Sequence, residues 1–303
     1  MTGRAVVLGD ALIDELRDVG GVREFVGGAG LNVAVGLTRL GVPSTLIAMV
    51  GDDEAGDRIR AYLDDFGVEL LATPGPHGSS RAVSVRGASG EPTYEFNEAA
   101  WNRSIHFGDA ELDAIADASI VVVSCYPFDD AEQADALARA TQGSRLAIDP
   151  NPRAGMLHDG ASFIAGFEAL VPGVALVKVG EDDAALLYGE PLDALRTRLV
   201  DLGAQAVLAT YGAGGAAIDV GTDAVTHPIS DLPGRIVDTM GAGDAAFAAT
   251  IAALLEGTPA TRDEWSAVLA SAMDAAAATC RFEGALLRSP SALKGMDLDA
   301  IGT

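Results

Sequence analysis

With 303 residues, 49% of them hydrophobic and 21% charged, the chain can bury a large core without disulfides or structural metals. Its formal net charge of −24 sets 44 acids against 20 basic residues, and only two of the latter, Lys178 and Lys294, are lysines. So acidic a chain is repelled by nucleic-acid phosphates and by anionic membranes, so neither is expected as a partner. An anionic ligand would have to be met by backbone amides, metal ions and a few placed cations.

In chain order, the first strand is predicted at residues 5–8, an apolar run far too short for a secretory h-region. A helix is predicted over 31–40, a strand over 44–50 and a helix over 54–66. Two stretches break this rhythm, 20–26 and 80–97. Their period-two runs, Arg81-Ala82-Val83-Ser84-Val85-Arg86 and Tyr94-Glu95-Phe96, flank turn signals at 87–92 and predict a small antiparallel flap able to close over a site. Further strands are predicted at 120–124, 145–148, 175–179 and 206–210, and two Ala-rich helices over 242–256 and 262–280. Short apolar strands alternating with helices describe an α/β fold with a mostly parallel sheet covered on both faces. No linker divides the chain, so residues 1–303 are read as a single domain. The run 245–255 is too short to cross a bilayer. Cys125 and Cys280 lie in apolar stretches and read as packed thiols of a reducing, cytoplasmic compartment. His77, His106, His158 and His227 are scattered, with no ligand spacing.

The richest segment is Asp238-Thr239-Met240-Gly241-Ala242-Gly243-Asp244, running into the helical pattern 245–255. Small residues there let a group approach the backbone, and the first amides of a helix lack intrahelical partners. The result is an anion hole suited to a phosphoryl group, with Asp244 placed to take a proton from an attacking hydroxyl. The same residues also make a tight helix start with an N-terminal acid. A second segment, Gly27-Gly28-Ala29-Gly30-Leu31-Asn32, suggests close approach of a ligand to the main chain, or simply a glycine-rich turn into a helix.

Together the two segments resemble both signatures of the ribokinase-like (PfkB) carbohydrate kinases, over nearly the whole length. The opening Gly9-Asp10-Ala11-Leu12-Ile13-Asp14 is similar to that of bacterial fructokinases, as is Asp149-Pro150-Asn151-Pro152-Arg153. The resemblance implies a three-layer α/β/α sandwich with a small β-sheet lid, formed by about 15–26 and 79–106. It also implies ATP and Mg²⁺ as cofactors, with K⁺ as a further ion, a small sugar as substrate, and a homodimer through the lid. By residue, it implies Asp244 as base and Gly241, Ala242 and Gly243 as anion hole. Asp14, with Gly28, Asn32 and Asp10, matches the sugar side. Lys178, Glu181, Thr210, Gly212 and Gly215 match the nucleotide side, with Glu181 ordering Mg²⁺ through water. Asp238 and the carbonyl of Met240, near Gly284-Ala285, match a monovalent-cation site. Ala29 stands where ribokinases have lysine, which counts against ribose without proving fructose; fructose-like sugars are favoured, with a ribokinase or nucleoside kinase of the same family as alternatives. Arg153 could bind a substrate acid, as in a 2-keto-3-deoxygluconate kinase, or form a surface ion pair.

Two other classes fit the sequence less well. A dinucleotide-dependent oxidoreductase would need Gly-x-Gly-x-x-Gly after the first strand, and no segment fits. A sugar sensor on the same fold would be expected to have lost its base, whereas Asp244 stands in an intact motif.

Overall fold

The computed structural model describes residues 3–18, 21–86 and 92–294. Its strands are β1 (Ala5–Gly9), β2 (Leu12–Asp18), β3 (Gly21–Gly27), β4 (Ser44–Val50), β5 (Glu69–Pro74), β6 (Ser80–Arg86), β7 (Pro92–Phe96), β8 (Ile120–Ser124), β9 (Leu146–Asp149), β10 (Leu176–Gly180), β11 (Val207–Thr210), β12 (Ala216–Val220) and β13 (Asp223–His227). Nine of them form the central sheet, in the order β13-β12-β11-β10-β9-β8-β1-β4-β5. From β5 to β11 every pairing is parallel, and β12 and β13 add an antiparallel edge.

β1 and β8 are buried from end to end because successive side chains enter two different cores. Ala5, Val7, Ile120 and Val122 face the helices Ala29–Arg39, Glu54–Asp65, Ala242–Glu256 and Arg262–Thr279. Val6, Leu8, Val121 and Val123 face the opposite layer, which carries Asp109–Ala116, Ala131–Ala140, Gly160–Glu168 and Leu192–Asp201. The three-layer α/β/α sandwich follows from that alternation. Ala147 and Leu176 face the first core and are register partners, so Asp149 and Lys178, each two residues on, point to the layer of the helix Ala242–Glu256.

The remaining four strands form a smaller sheet, β3-β2-β6-β7. It is mixed rather than antiparallel, because β2 and β6 pair parallel while β2–β3 and β6–β7 pair antiparallel. After β7 the chain leaves the sheet through Asn97 into the short helix Glu98–Trp101, so residues 98–106 add no strand. Residues 87–91, the expected turn of the flap, lie outside the described residues. The small sheet touches the rest of the chain in separate places. Phe96 packs with Ala29, Ala100, Cys125 and Met156, while Arg23 pairs with Glu283 and a side-chain carbon on Gly284 would lie 3.5 Å from Phe25. Among the described residues no helix is long and apolar enough to cross a membrane. Cys125 and Cys280 are free thiols, the first buried and the second partly so.

Candidate active site

The site is built where two glycine-rich segments cross. A side-chain carbon on Gly9 would stand 2.9 Å from the Cα of Gly30, and one on Gly30 would stand 2.8 Å from the Cα of Gly9. Gly28 has φ 106°, and the space a side chain would take there is filled by the carbonyl of Asp10, 2.8 Å away. These glycines thus bring one stretch of main chain against another. Asp10 fastens the crossing: its carbonyl accepts from the Leu31 amide at 3.0 Å and its Oδ1 from the Gly30 amide at 3.0 Å. Burial pushes its carboxyl up, against the pull of the Gly30 amide and of the Arg103 and Arg153 charges.

Asp14 belongs to the small sheet. The first strand stops at Gly9, and Asp14 is the third residue of β2, opposite Phe25 and beside Ala82. Its Oδ2 occupies the space a side chain on Gly27 would need, 2.3 Å away. Burial, and then the charges of Asp10, Asp244 and Asp238, push its carboxyl up to about 7, although Arg153 opposes them. No strand was predicted from the sequence over Leu12–Asp18, so the membership of Asp14 in the small sheet comes from the structure alone.

The opposing wall is the start of the helix Ala242–Glu256. Gly241 takes a left-handed conformation, φ 73°, and any side chain there would meet Ala285 at 2.6 Å. The Ala242 amide reaches the Thr239 carbonyl at 3.3 Å and the Ala245 amide the Gly241 carbonyl at 2.8 Å. Between them, the Gly243 and Asp244 amides have no acceptor among the described residues, leaving two donors at the positive end of a fifteen-residue helix. Asn32 Nδ2 donates to Asp244 Oδ2 at 2.8 Å. Burial raises the Asp244 carboxyl, while Lys178, the Asn32 bond and Arg153 hold it down and Asp10 pushes it further up. Lys178 approaches from β10, its Nζ 3.3 Å from where a Gly243 side chain would begin and 3.0 Å from Asp149 Oδ2.

Arg153 follows the left-handed Asn151 (φ 40°). It is exposed, faces Asp10, Asp14 and Asp244 electrostatically, and makes no ion pair with any of them. Asp10, Asp14, Asn32, Arg153, Lys178 and Asp244 therefore form one group of interacting side chains.

A second group gathers where β10 and β11 end. Glu181 is exposed at the end of β10, with its Oε2 3.9 Å from the position of a Gly212 side chain. Thr210 ends β11, and its Oγ1 lies 3.3 Å from where a Gly180 side chain would start. Gly212 and Gly215 have φ of 51° and 91°, and a side chain on Gly215 would strike the His227 carbonyl. Among the described residues no three His, Cys, Asp or Glu converge as a metal cage. One exposed glutamate suits a Mg²⁺ ion that keeps most of its water and is held chiefly by phosphates. Asp238 accepts from the Met240 amide at 3.0 Å and the Gly284 amide at 3.2 Å, tying the approach to the anion hole onto the 280–285 loop. Asp149, Asp183 and Arg103 complete the charged neighbourhood and were given no role by the sequence; only the Asp-Pro-Asn pattern around Asp149 hinted at the first.

Comparison with known proteins places this geometry. Residues 4–292 match the model of the pfkB family of carbohydrate kinases. A fructokinase of Rhizobium leguminosarum bv. trifolii is 32% identical over 262 residues, 81% of this chain and 78% of that protein. An ATP-dependent 6-phosphofructokinase of Thermoanaerobacterium thermosaccharolyticum is 27% identical over 253 residues, 78% of this chain and 74% of that one. Among solved structures, the fructokinase of Xylella fastidiosa with bound ATP superposes with a TM-score of 0.79 at 21% identity, covering 94% of both chains. With residues 4–292 matched and the sandwich and smaller sheet present in one molecule, the chain belongs to the pfkB family of carbohydrate kinases.

Proposed function

We propose that this kinase transfers the γ-phosphoryl group of ATP to a hydroxyl of a small sugar, with fructose-like sugars favoured. The observation that carries the reading is the convergence at one helix start of a carboxylate, Asp244, two acceptor-free amides and the Lys178 ammonium. Asn32 holds Asp244 Oδ2, which leaves Oδ1 to accept the proton of the attacking hydroxyl. The hydroxyl oxygen bonds to phosphorus as the bond to the ADP oxygen breaks, and the Gly243 and Asp244 amides receive charge on the transferred group. A modest base suffices because the proton leaves late in a loose transition state. Asp14 accepts from neighbouring sugar hydroxyls and so sets which hydroxyl faces Asp244. Thr210, Gly212 and Gly215 border the nucleotide, and Glu181 would hold the water shell of Mg²⁺, which supplies neutralising charge on the phosphates. Asp238 and the Met240 carbonyl would hold a monovalent cation behind the anion hole.

The 32% identity to a fructokinase supports fructose, and the lack of an ion pair on Arg153 among the described residues favours a second reading, an acidic sugar such as 2-keto-3-deoxygluconate. ADP release across fructose, 2-keto-3-deoxygluconate, ribose and nucleosides tests both. Fructose is expected to give the highest kcat/KM. Release no faster with fructose than with ribose would reject the first reading, and a preference for the acid would establish the second.

The small sheet is read as a lid, made by about 15–26 and 79–106, within one kinase domain, since Asp14 on β2 faces the charges of Asp10, Arg153 and Asp244 and Phe96 at the end of β7 packs on Ala29 of the glycine-rich segment. An acceptor hydroxyl competes with water at about 55 M, so a covered site is needed to prevent ATP hydrolysis. Shortening the 87–91 connection should raise sugar-independent ATP hydrolysis relative to sugar phosphorylation and weaken sugar binding, with the circular dichroism spectrum unchanged. An unchanged ratio in a folded variant would favour pairing of two copies through this sheet, whose outer strand β3 leaves Val22 exposed.

A further inference from the structure

Lys178 is buried, and three carboxylates compete for its ammonium: Asp149 on the neighbouring strand, Asp183 at the start of the following turn, and Asp244. The competition is already decided. Nζ lies 3.0 Å from Asp149 Oδ2, whereas neither Asp183 nor Asp244 comes within ion-pair distance. Asp183 is engaged elsewhere, its Oδ2 accepting from the Gly180 amide at 2.6 Å, and Asp244 is held by Asn32. Asp149 is spent on nothing else. Its carboxylate is fully buried, and neither oxygen accepts a well-aligned hydrogen bond among the described residues. Buried carboxylates ordinarily collect amide or hydroxyl donors, and one that faces a lysine alone is an expensive way to stabilise a fold.

We infer that Asp149 is a positioning residue for phosphoryl transfer, acting through Lys178: it holds the ammonium against Gly243, beside the two acceptor-free amides, and keeps it from collapsing onto the carboxylate of Asp244. This rests on the reading of Asp244 as the base. The sheet register enforces the arrangement, since β9 and β10 present Asp149 and Lys178 side by side on the face that meets the helix start. If the ammonium paired with Asp244 instead, the base would be weakened and the anion hole would lose its cation.

The test is a double-mutant cycle of Asp149→Asn and Lys178→Met, with kcat, the KM for sugar and the pH profile of kcat read for each enzyme. The groups facing Asp244 are Lys178, Arg153, Asp10, Asp14 and Asn32; those facing Asp149 are Lys178, Asp183 and Asp244. Asp149→Asn should lower kcat about 10–100-fold with little change in the KM for sugar, because one preorganised donor is displaced. An ammonium released toward Asp244 favours the ionised base, so the acidic limb of the pH profile should move to lower pH. In the Lys178→Met background, Asp149→Asn should change kcat by less than twofold. Asp149→Asn with an unmoved limb, or a double mutant whose loss equals the product of the single losses, would overturn the inference. So would a tenfold rise in the Mg²⁺ requirement of Asp149→Asn alone, which would mean that the carboxylate works through the metal. Asp244→Asn measured alongside separates the two readings: if it retains most of kcat, the base assignment fails, while non-additivity of the cycle still reports on the Asp149–Lys178 link.

Discussion

Asp244→Asn is expected to lower kcat by about 10²–10⁴-fold, the usual cost of removing a positioned general base. The amide is the same size and can still meet Asn32, so the anion hole and the nucleotide side should keep their geometry and ATP affinity should stay near that of the parent. The loss should fall on kcat and kcat/KM alike, the signature of an interaction made only in the transition state. Steady-state ADP release, paired with nucleotide binding by calorimetry, checks both halves. Retention of more than half of the parent kcat would remove Asp244 from the mechanism.

Asp14→Asn should move the other constant. A charged acceptor facing substrate hydroxyls contributes about 1.5–3 kcal/mol, so the KM for sugar should rise about 10–100-fold while the KM for ATP barely changes. Asp14 also supplies a pH signature. Its carboxyl is pushed up to about 7 by burial and by neighbouring carboxylates, so below neutrality much of it is protonated and a poorer acceptor. The kcat/KM for sugar should therefore rise through pH 7 in the parent and lose that step in the variant.

Stability should run the opposite way. A carboxyl whose folded-state pKa is raised binds its proton more tightly folded than unfolded, so its contribution is fully present below about pH 4 and is lost as pH rises through about 7. Asp14→Asn should consequently raise the Tm more at pH 8 than at pH 4. Equal Tm shifts at both pH values, with an unmoved sugar KM, would show that Asp14 faces neither the neighbouring carboxylates nor the sugar.

Much of the central sheet could be read directly. Strands 44–50 and 120–124 and the helix 242–256 stand where their apolar runs put them, because a strand buried on both faces writes a continuous hydrophobic signal. The strands left out carry weaker marks. Glu69–Pro74 and Asp223–His227 are the two edge strands of the sheet, each open on one side, and Ala216–Val220 lies next to the latter; polar residues enter all three. The parallel β2–β6 pairing joins segments more than sixty residues apart, and nothing local in Leu12–Asp18 announces its partner.

The site divides in the same manner. Gly241 and Asp244 were legible because a helix start is a local event. Gly28 was legible as a residue that must be glycine, though its space is taken by Asp10 rather than left for a ligand. The contact of Lys178 with Asp149 was not legible, since it depends on how two strands with 26 intervening residues align.

One consequence follows from where β1 ends. Only Asp10 and Ala11 separate it from β2, so the small sheet is rooted in a central strand by a two-residue joint, and that joint is clamped by the glycine crossing. Asp14 rides on the small-sheet side of the joint. If the small sheet is the lid and Asp14 the sugar ligand proposed above, a sugar that engages Asp14 pulls on the sheet that settles over it, and recognition and closure become one step. Under that coupling a sugar with a misplaced hydroxyl is penalised twice, once in residence and again in the fraction of encounters that become committed. Selectivity should then exceed what the loss of a single hydrogen bond would give, and it should show in the partition between release and turnover rather than in equilibrium affinity.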